Sequence, residues 1–280
     1  MLRIITWNIQ WGLGIDGNVD LRRLVDEARA TADFDVLCLQ EVSDNFSDLK
    51  GNDGGNQFAE LAGLLPNYTA VEGVALDIPD GAGRRRRFGN MILSRQPVGQ
   101  VLRHTLPWEA APTRNMPRLL LEATVETPSG PLRVMTTHLE YSSDMLRRAQ
   151  VEGIREAHRC ACERVATPRE DGPGTYARLP TSASAVLTGD FNMRPPDPVK
   201  QRISEPFAHE VPALLDAWQV AHGAQPHPTS FCLFEQSNGP PHCCDFVFVT
   251  DDIAPRVRRI SYDQETQASD HQPVLLELDL

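Results

Sequence analysis

The chain lacks the features that would tie it to a membrane, to an oxidising compartment or to a polyanion. None of its apolar runs approaches the roughly 20 residues that span a bilayer, and because "MLRIITWNIQ" opens on a short apolar strand, no cleavable leader is expected. Six cysteines, Cys38, Cys160, Cys162, Cys232, Cys243 and Cys244, form no pairing framework. A chain of 280 residues buries enough core to need no disulfide staples. Cys160 and Cys162 are two apart on an expected helix, and Cys243 and Cys244 are neighbours in an expected strand. Both pairs therefore point to different sides, which suits reduced, half-buried thiols better than zinc ligands. The expected compartment is the cytoplasm. A net charge of −11 opposes tight non-specific binding to nucleic acid while leaving room for a local basic groove. No internal repeat or low-complexity tract divides the chain, so one domain over residues 1–280 is expected.

Periodicity supplies the elements. Asp20 caps a helix whose inner face is Leu21, Leu24, Val25 and Ala28, and Phe58, Leu61, Ala62 and Leu65 repeat that spacing before Pro66. A longer helix from about Asp144 carries Ile154, Ala157, Ala161 and Val165, and Leu214, Leu215, Trp218 and Ala221 predict another. Between them lie apolar runs of strand length: "LRIIT", "DVLCLQ", "NMILS", "LLLEATV", "LRVMTT", "SAVLTG", "DFVFVT" and "PVLLELDL". Strands mixed with helices predict a layered α/β domain. Residues 167–184, rich in Pro, Gly and Ser, read as a mobile loop within it.

Polar residues stand at the ends of these runs. Asn8 follows "IITW", Glu41 ends "DVLCLQE", His138 ends "RVMTTH", and Asp190 and Asn192 close "AVLTGDFN". Towards the C-terminus the order reverses, with Asp245 opening "DFVFVT" and Asp270 and His271 preceding "PVLLELDL". With the late strands antiparallel to the early ones, all of these groups meet at one rim, where layered α/β folds place their ligands. Taken singly the signals are ordinary: a lone Asn is a turn residue, and a lone His ends many strands. "GDFN" is sharper, because its glycine permits a close turn and sets Asp190 and Asn192 two apart, facing one way.

In this order the motifs "TWNI", "LQEV", "TTHLE", "GDFN", "CDFVFV" and "SDHQPV" resemble those of the endonuclease/exonuclease/phosphatase superfamily, and "FGNMILSR" resembles its third strand, with Gly89, Asn90 and Ser94. The match runs from residue 6 to residue 274. The resemblance implies a four-layer α/β/β/α sandwich of the deoxyribonuclease I type, two mixed sheets between helices, with a divalent-metal site at the rim. Phosphoester hydrolysis needs the phosphate charge neutralised, a water aimed in line and the leaving oxygen stabilised. Glu41, Asn8 and Asp270 are the expected metal ligands; an oxygen set of this kind suits Mg²⁺, then Mn²⁺. Asp190 is expected to activate water, Asn192 and His138 to contact the phosphate, and His271 to bond a phosphoryl oxygen or shuttle a proton. Asp245 is the expected partner that fixes the His271 tautomer. Asp190 and His271 both stay open as the base.

The substrate is less legible. Arg84 to Arg87 lie in an expected loop before a strand and either grip an anionic headgroup or face solvent. Of these, Arg84 and Arg85, with Asn90 and Arg118, are the candidate substrate contacts; Arg118, near a strand start, has a surface acid as its alternative partner. Arg114 carries the same ambiguity. Trp7, Trp11 and Trp108 suit either base stacking or packing. Apurinic endonucleases usually follow the metal glutamate with Thr and Lys, but Val42, Ser43 and Asp44 stand here. Secreted relatives of deoxyribonuclease I carry a leader and disulfides. The resulting expectation is an enzyme acting on a small or lipid-derived phosphoester, with nucleic acid as the alternative substrate and a catalytically silent binding module as the remote one.

Overall fold

Central strands buried on both faces need apolar side chains at successive positions, and that is why their sequences run rather than alternate. The computed structural model describes residues 1–208 and 211–280. From the N-terminus the elements are β1 (Leu2–Asn8), α1 (Leu21–Thr31), β2 (Val36–Asp44), α2 (Gln57–Leu64), β3 (Thr69–Pro79), β4 (Arg85–Ser94), β5 (Val98–Thr105) and β6 (Leu119–Thr127). They continue with β7 (Gly130–His138), α3 (Asp144–Ala166), β8 (Ala185–Asp190), α4 (Pro198–Ser204), β9 (Leu214–Asp216), α5 (Ala217–His222), β10 (Asp245–Thr250), β11 (Val257–Tyr262) and β12 (Val274–Leu278).

Two six-stranded mixed sheets result, in the orders β11-β12-β1-β2-β4-β3 and β5-β6-β7-β8-β10-β9. Leu2 and Ile4 of β1 join the core between the sheets, while Ile5 and Trp7 turn outwards to Leu24, Val25 and Phe58 of α1 and α2. On the far side Val151, Ile154 and Ala157 bring α3 against the second sheet. The layers are thus helix, sheet, sheet, helix.

Strand direction carries the functional groups to one rim. β1 runs parallel to β2, and β7 parallel to β8 with His138 opposite Asp190. β12 is antiparallel to β1, and β10 is antiparallel to β8 with Asp245 opposite Asp190. The starts of the late strands therefore lie beside the ends of the early ones.

Several local expectations need correction. Leu214 and Leu215 are strand residues of β9, and the helix starts only at Ala217, capped by Asp216, whose side chain accepts from Trp218 N. β4 begins at Arg85, so Arg85 to Arg87 belong to a strand rather than a loop. Glu41 does not end β2; pairing with β4 breaks between Leu39 and Val42, and Glu41 sits in that bulge at φ 62°. Cys243 and Cys244 precede β10 instead of lying within it. Gly189 is a strand residue as well. At φ 141° it lets β8 close on β7, since a Cβ there would stand 1.9 Å from the Thr137 carbonyl oxygen.

Candidate active site

Asp190, at the end of β8, is the hub of the rim. Its Oδ2 accepts from Asn8 Nδ2 at 3.0 Å and lies 3.4 Å from His138 Nε2 and 3.7 Å from His271 Nε2. Its Oδ1 accepts from the backbone N–H of Asn192 at 2.9 Å, closing the turn that Asn192 makes at φ 50°. Behind it, His271 Nδ1 lies 2.9 Å from Asp245 Oδ2, which also accepts from Ser230 Oγ at 2.7 Å. Trp7 Nε1 holds the His271 carbonyl at 2.9 Å, and the Phe231 ring lies 4.5 Å from the imidazole. Burial opposes charge on His271, but Asp245 and Asp190 outweigh it and raise its pKa to about 10.

Asn8 ties this group to a second carboxylate. Its Nδ2 also donates to Glu41 Oε1 at 3.1 Å, and its Oδ1 accepts from Gln10 N at 3.0 Å. Gln10 Nε2 in turn donates to Asp270 Oδ2 at 2.8 Å. Burial, and then the charge of Asp270, push the Glu41 pKa up to about 7. Burial also raises that of Asp270.

His138 faces the same centre from β7, with Nδ1 3.9 Å from Glu41 Oε1. Burial and the Arg118 guanidinium lower its pKa to about 3, so His138 is neutral where His271 is charged. Arg118 sits just before β6 and is itself buried, with Nε 3.6 Å from Glu140 Oε2. Its partner is thus a buried acid, not a surface one. Asn90, inside β4, donates to the Leu119 carbonyl at 3.4 Å and lines a small cleft with Arg118 and His138. Asn192 Nδ2 donates to the Leu139 carbonyl at 3.0 Å, which leaves its second amide proton free for a ligand.

A sequence profile described as "Endonuclease/Exonuclease/phosphatase family" matches residues 5–271. The chain belongs to this family. No curated protein matches it by sequence. Among solved structures it is similar to an endonuclease/exonuclease/phosphatase from Beutenbergia cavernae, with 27% identity and a TM-score of 0.64 over 98% of this chain and 70% of the other. A mannosyl-6-phosphatase from Bacteroides thetaiotaomicron has 16% identity and a TM-score of 0.64, with 100% of both chains covered. The human Nocturnin catalytic domain with bound sulfate has 17% identity and a TM-score of 0.64, covering 98% of this chain and 92% of that one. Endonuclease/exonuclease/phosphatase members hydrolyse phosphoester bonds and generally use divalent metals.

The donor chemistry fits such an ion. Glu41 and Asp270 are both buried carboxyl groups that burial, above all, makes hold their protons more tightly, against the opposing charge of His271. An all-oxygen set with this excess of negative charge suits a hard divalent ion. Motif reading in this family overlooked Gln10, Ser230 and Cys244, each of which touches a motif carboxylate. Gln10, two residues after Asn8, and Cys244, the first residue of "CDFVFV", both had a signal in the sequence. Cys244 adjoins Asp245 in the chain, and only Ser230 reaches that carboxylate through the fold. Arg84 and Arg85 are ion-paired with Asp80 and Asp77, Arg86 with Asp48, and Arg87 with Asp44 and Glu72. Trp7 is buried and Trp108 exposed, where Nε1 donates to Asn115.

Proposed function

We propose that the protein is a divalent-metal-dependent phosphoester hydrolase, with Mg²⁺ as the first ion and Mn²⁺ as an alternative. The observation that carries this reading is Asp190 held between Asn8 and two histidines, one neutral and one charged. A cation on Glu41, Asp270 and the carbonyl oxygen of Asn8 would neutralise the phosphate and stabilise the leaving oxygen. Asp190 accepts a proton from the attacking water, with Asn8 and the Asn192 backbone N–H fixing its two oxygens. His271, charged through Asp245, donates from Nε2 to a phosphoryl oxygen. His138 and Arg118 contact the phosphate from the β6–β7 side, and the second amide proton of Asn192 completes the set. Asn90, which shares a small cleft with Arg118 and His138, is a further neutral substrate contact. Arg84 and Arg85 reach a substrate only by exchanging Asp80 and Asp77 for it.

A small or lipid-derived substrate is favoured by the acidic net charge and by exposed Tyr141, Met145 and Phe234. The nuclease reading is favoured by a cleft of about 510 Å³ that shares Asn192 and Phe231 with the centre. Arg148 and Arg194 line it without an ion pair among the described residues, beside Tyr141 and His242. Bis-p-nitrophenyl phosphate, assayed in EDTA and in Mg²⁺, tests the reaction class: turnover that persists in EDTA refutes it. Sphingomyelin, inositol phosphates, single-stranded DNA and RNA then separate the two substrate readings.

A further inference from the structure

Beside the oxygen donors lies a second cluster of different chemistry. Cys244 Sγ is 3.5 Å from Asp245 Oδ2 and 3.9 Å from His271 Nδ1, and these two are 2.9 Å apart. Asp190 completes a set of four buried side chains whose ligand atoms all lie within 4.8 Å of one another. Donors around a tetrahedral zinc ion, at about 2.0 Å for N or O and 2.3 Å for S, stand about 3.3–3.5 Å apart. Cys244, Asp245 and His271 Nδ1 stand 2.9–3.9 Å apart, close to that spacing, while Asp190, now 3.7 Å from Nε2 on the other edge of the ring, has to move in to complete it. A second observation points the same way: Asp245 Oδ1 is buried without a hydrogen-bond partner. A carboxylate with an unused buried oxygen has capacity left for a ligand.

We propose that Cys244, together with Asp245, His271 and Asp190 of the catalytic rim, forms a site for a thiophilic divalent ion of the Zn²⁺ or Cd²⁺ class, and that filling it switches the enzyme off. One sulfur, one nitrogen and two carboxylates make a borderline-soft, four-coordinate set, unlike the oxygen donors of Glu41, Asn8 and Asp270. On binding, the S–H bond of Cys244 and the Nδ1–H bond of His271 are replaced by metal–sulfur and metal–nitrogen bonds, and two protons pass to solvent. No oxidant or other reactant is needed. The ion removes the hydrogen bond that joins Asp245 to His271 and occupies Asp190 as well. Inhibition follows directly, and to that extent the proposal rests on the hydrolase reading above. The rest of the cluster belongs to the catalytic rim, so the thiol beside it is what distinguishes this site.

The test is a titration of the whole protein with Cd²⁺ at saturating Mg²⁺, followed by the ultraviolet cadmium–thiolate absorption and by equilibrium dialysis. One Cd²⁺ per chain is expected, displaced by Zn²⁺ but not by Mg²⁺. Cys244→Ser is expected to lose the band and about tenfold or more of the affinity, and to need correspondingly more Zn²⁺ for half-inhibition. Cys232→Ser is expected to keep all three properties. Circular dichroism checks each variant, with Cys244→Ala as a second variant to carry the comparison if the serine form does not fold. No Cd²⁺ bound by the wild type, or an unchanged band and affinity in both Cys244 variants, overturns the site. If wild type and variants all fail to hydrolyse any phosphoester, the hydrolase reading falls, while the band still reports whether the thiol site exists.

Discussion

Asp245 and His271, 26 residues apart in sequence, meet through a 2.9 Å contact between Oδ2 and Nδ1 that presents Nε2 towards Asp190. A carboxylate in that position fixes the tautomer and stabilises the cation. Asp245→Asn keeps the shape but loses the charge, so kcat is expected to fall by roughly two to four orders of magnitude. His271→Ala should cost about as much, and the double variant little more than either single, because residues acting as one unit are not additive. Steady-state kinetics at saturating Mg²⁺, with circular dichroism as the folding check, decides it. Losses that multiply would mean two independent roles.

Glu41 is the acid whose state a metal should change most. Its carboxyl is held up to about pH 7 by burial and by Asp270, and a cation offsets both. Glu41→Gln is expected to raise the Mg²⁺ concentration for half-maximal turnover by about tenfold or more. A Mg²⁺ titration of activity checks this, and an unchanged midpoint would remove Glu41 from the ligand set.

The His271 charge also makes a stability prediction for the protein in EDTA. Its folded pKa, about 10, lies above the ordinary 6.5, so its contribution is fully present below pH 6.5 and is lost as pH rises towards 10. Urea unfolding of the wild type and His271→Gln should therefore differ most near pH 6 and converge by about pH 10. A difference that does not vary with pH would show that the buried pair adds nothing through its charge.

Gly189→Ala is expected to destabilise the fold by more than about 2 kcal/mol, since the added Cβ meets the Thr137 carbonyl and the backbone stands at φ 141°. The urea midpoint measures it. A loss of a few tenths would show that β7 and β8 can part without cost.

Arg118 and the arginine run are expected to behave differently. Removing Arg118 outright would strand Glu140 as a buried charge, so the informative change is Arg118→Lys, expected to lower kcat/KM about ten- to a hundredfold. Arg84→Ser combined with Arg85→Ser should change KM less than about twofold, because exposed ion pairs with Asp80 and Asp77 already occupy those side chains. A larger effect on DNA than on a small ester would instead place the run in a nucleic-acid path.

Edge position explains much of what the sequence did not disclose about the fold. β3, β5, β9 and β11, the strands that periodicity missed, are the four outer strands of the two sheets. An edge strand has one neighbour and a wetter face, so "VGQVLRHT" in β5 and "VRRISY" in β11 mix charge with apolar residues. The central strands were legible because both faces are buried, and every position then reports burial. Arg85 to Arg87 misled for the same reason: β3 supplies the acids Asp77 and Glu72 that let a cationic run be a strand.

By itself the sequence determined which chemical groups end or open the central strands, because Asn8, His138, Asp190, Asp245 and Asp270-His271 each interrupt an apolar run. It also determined the helices that carry a clear cap and face, α1 and α3. Only the tertiary structure decided what those groups are. Ser230 joins Asp245, 15 residues on, because Phe231 bridges to His242 and brings its segment against the start of β10, a contact with no local signature. The two histidines make the point most directly. His138 and His271 are the same side chain at the same rim. Burial beside the Arg118 guanidinium leaves one neutral, with a pKa of about 3, while two carboxylates hold the other charged to about 10. Charge state depends on neighbours that folding supplies, and no pattern along the chain contains it.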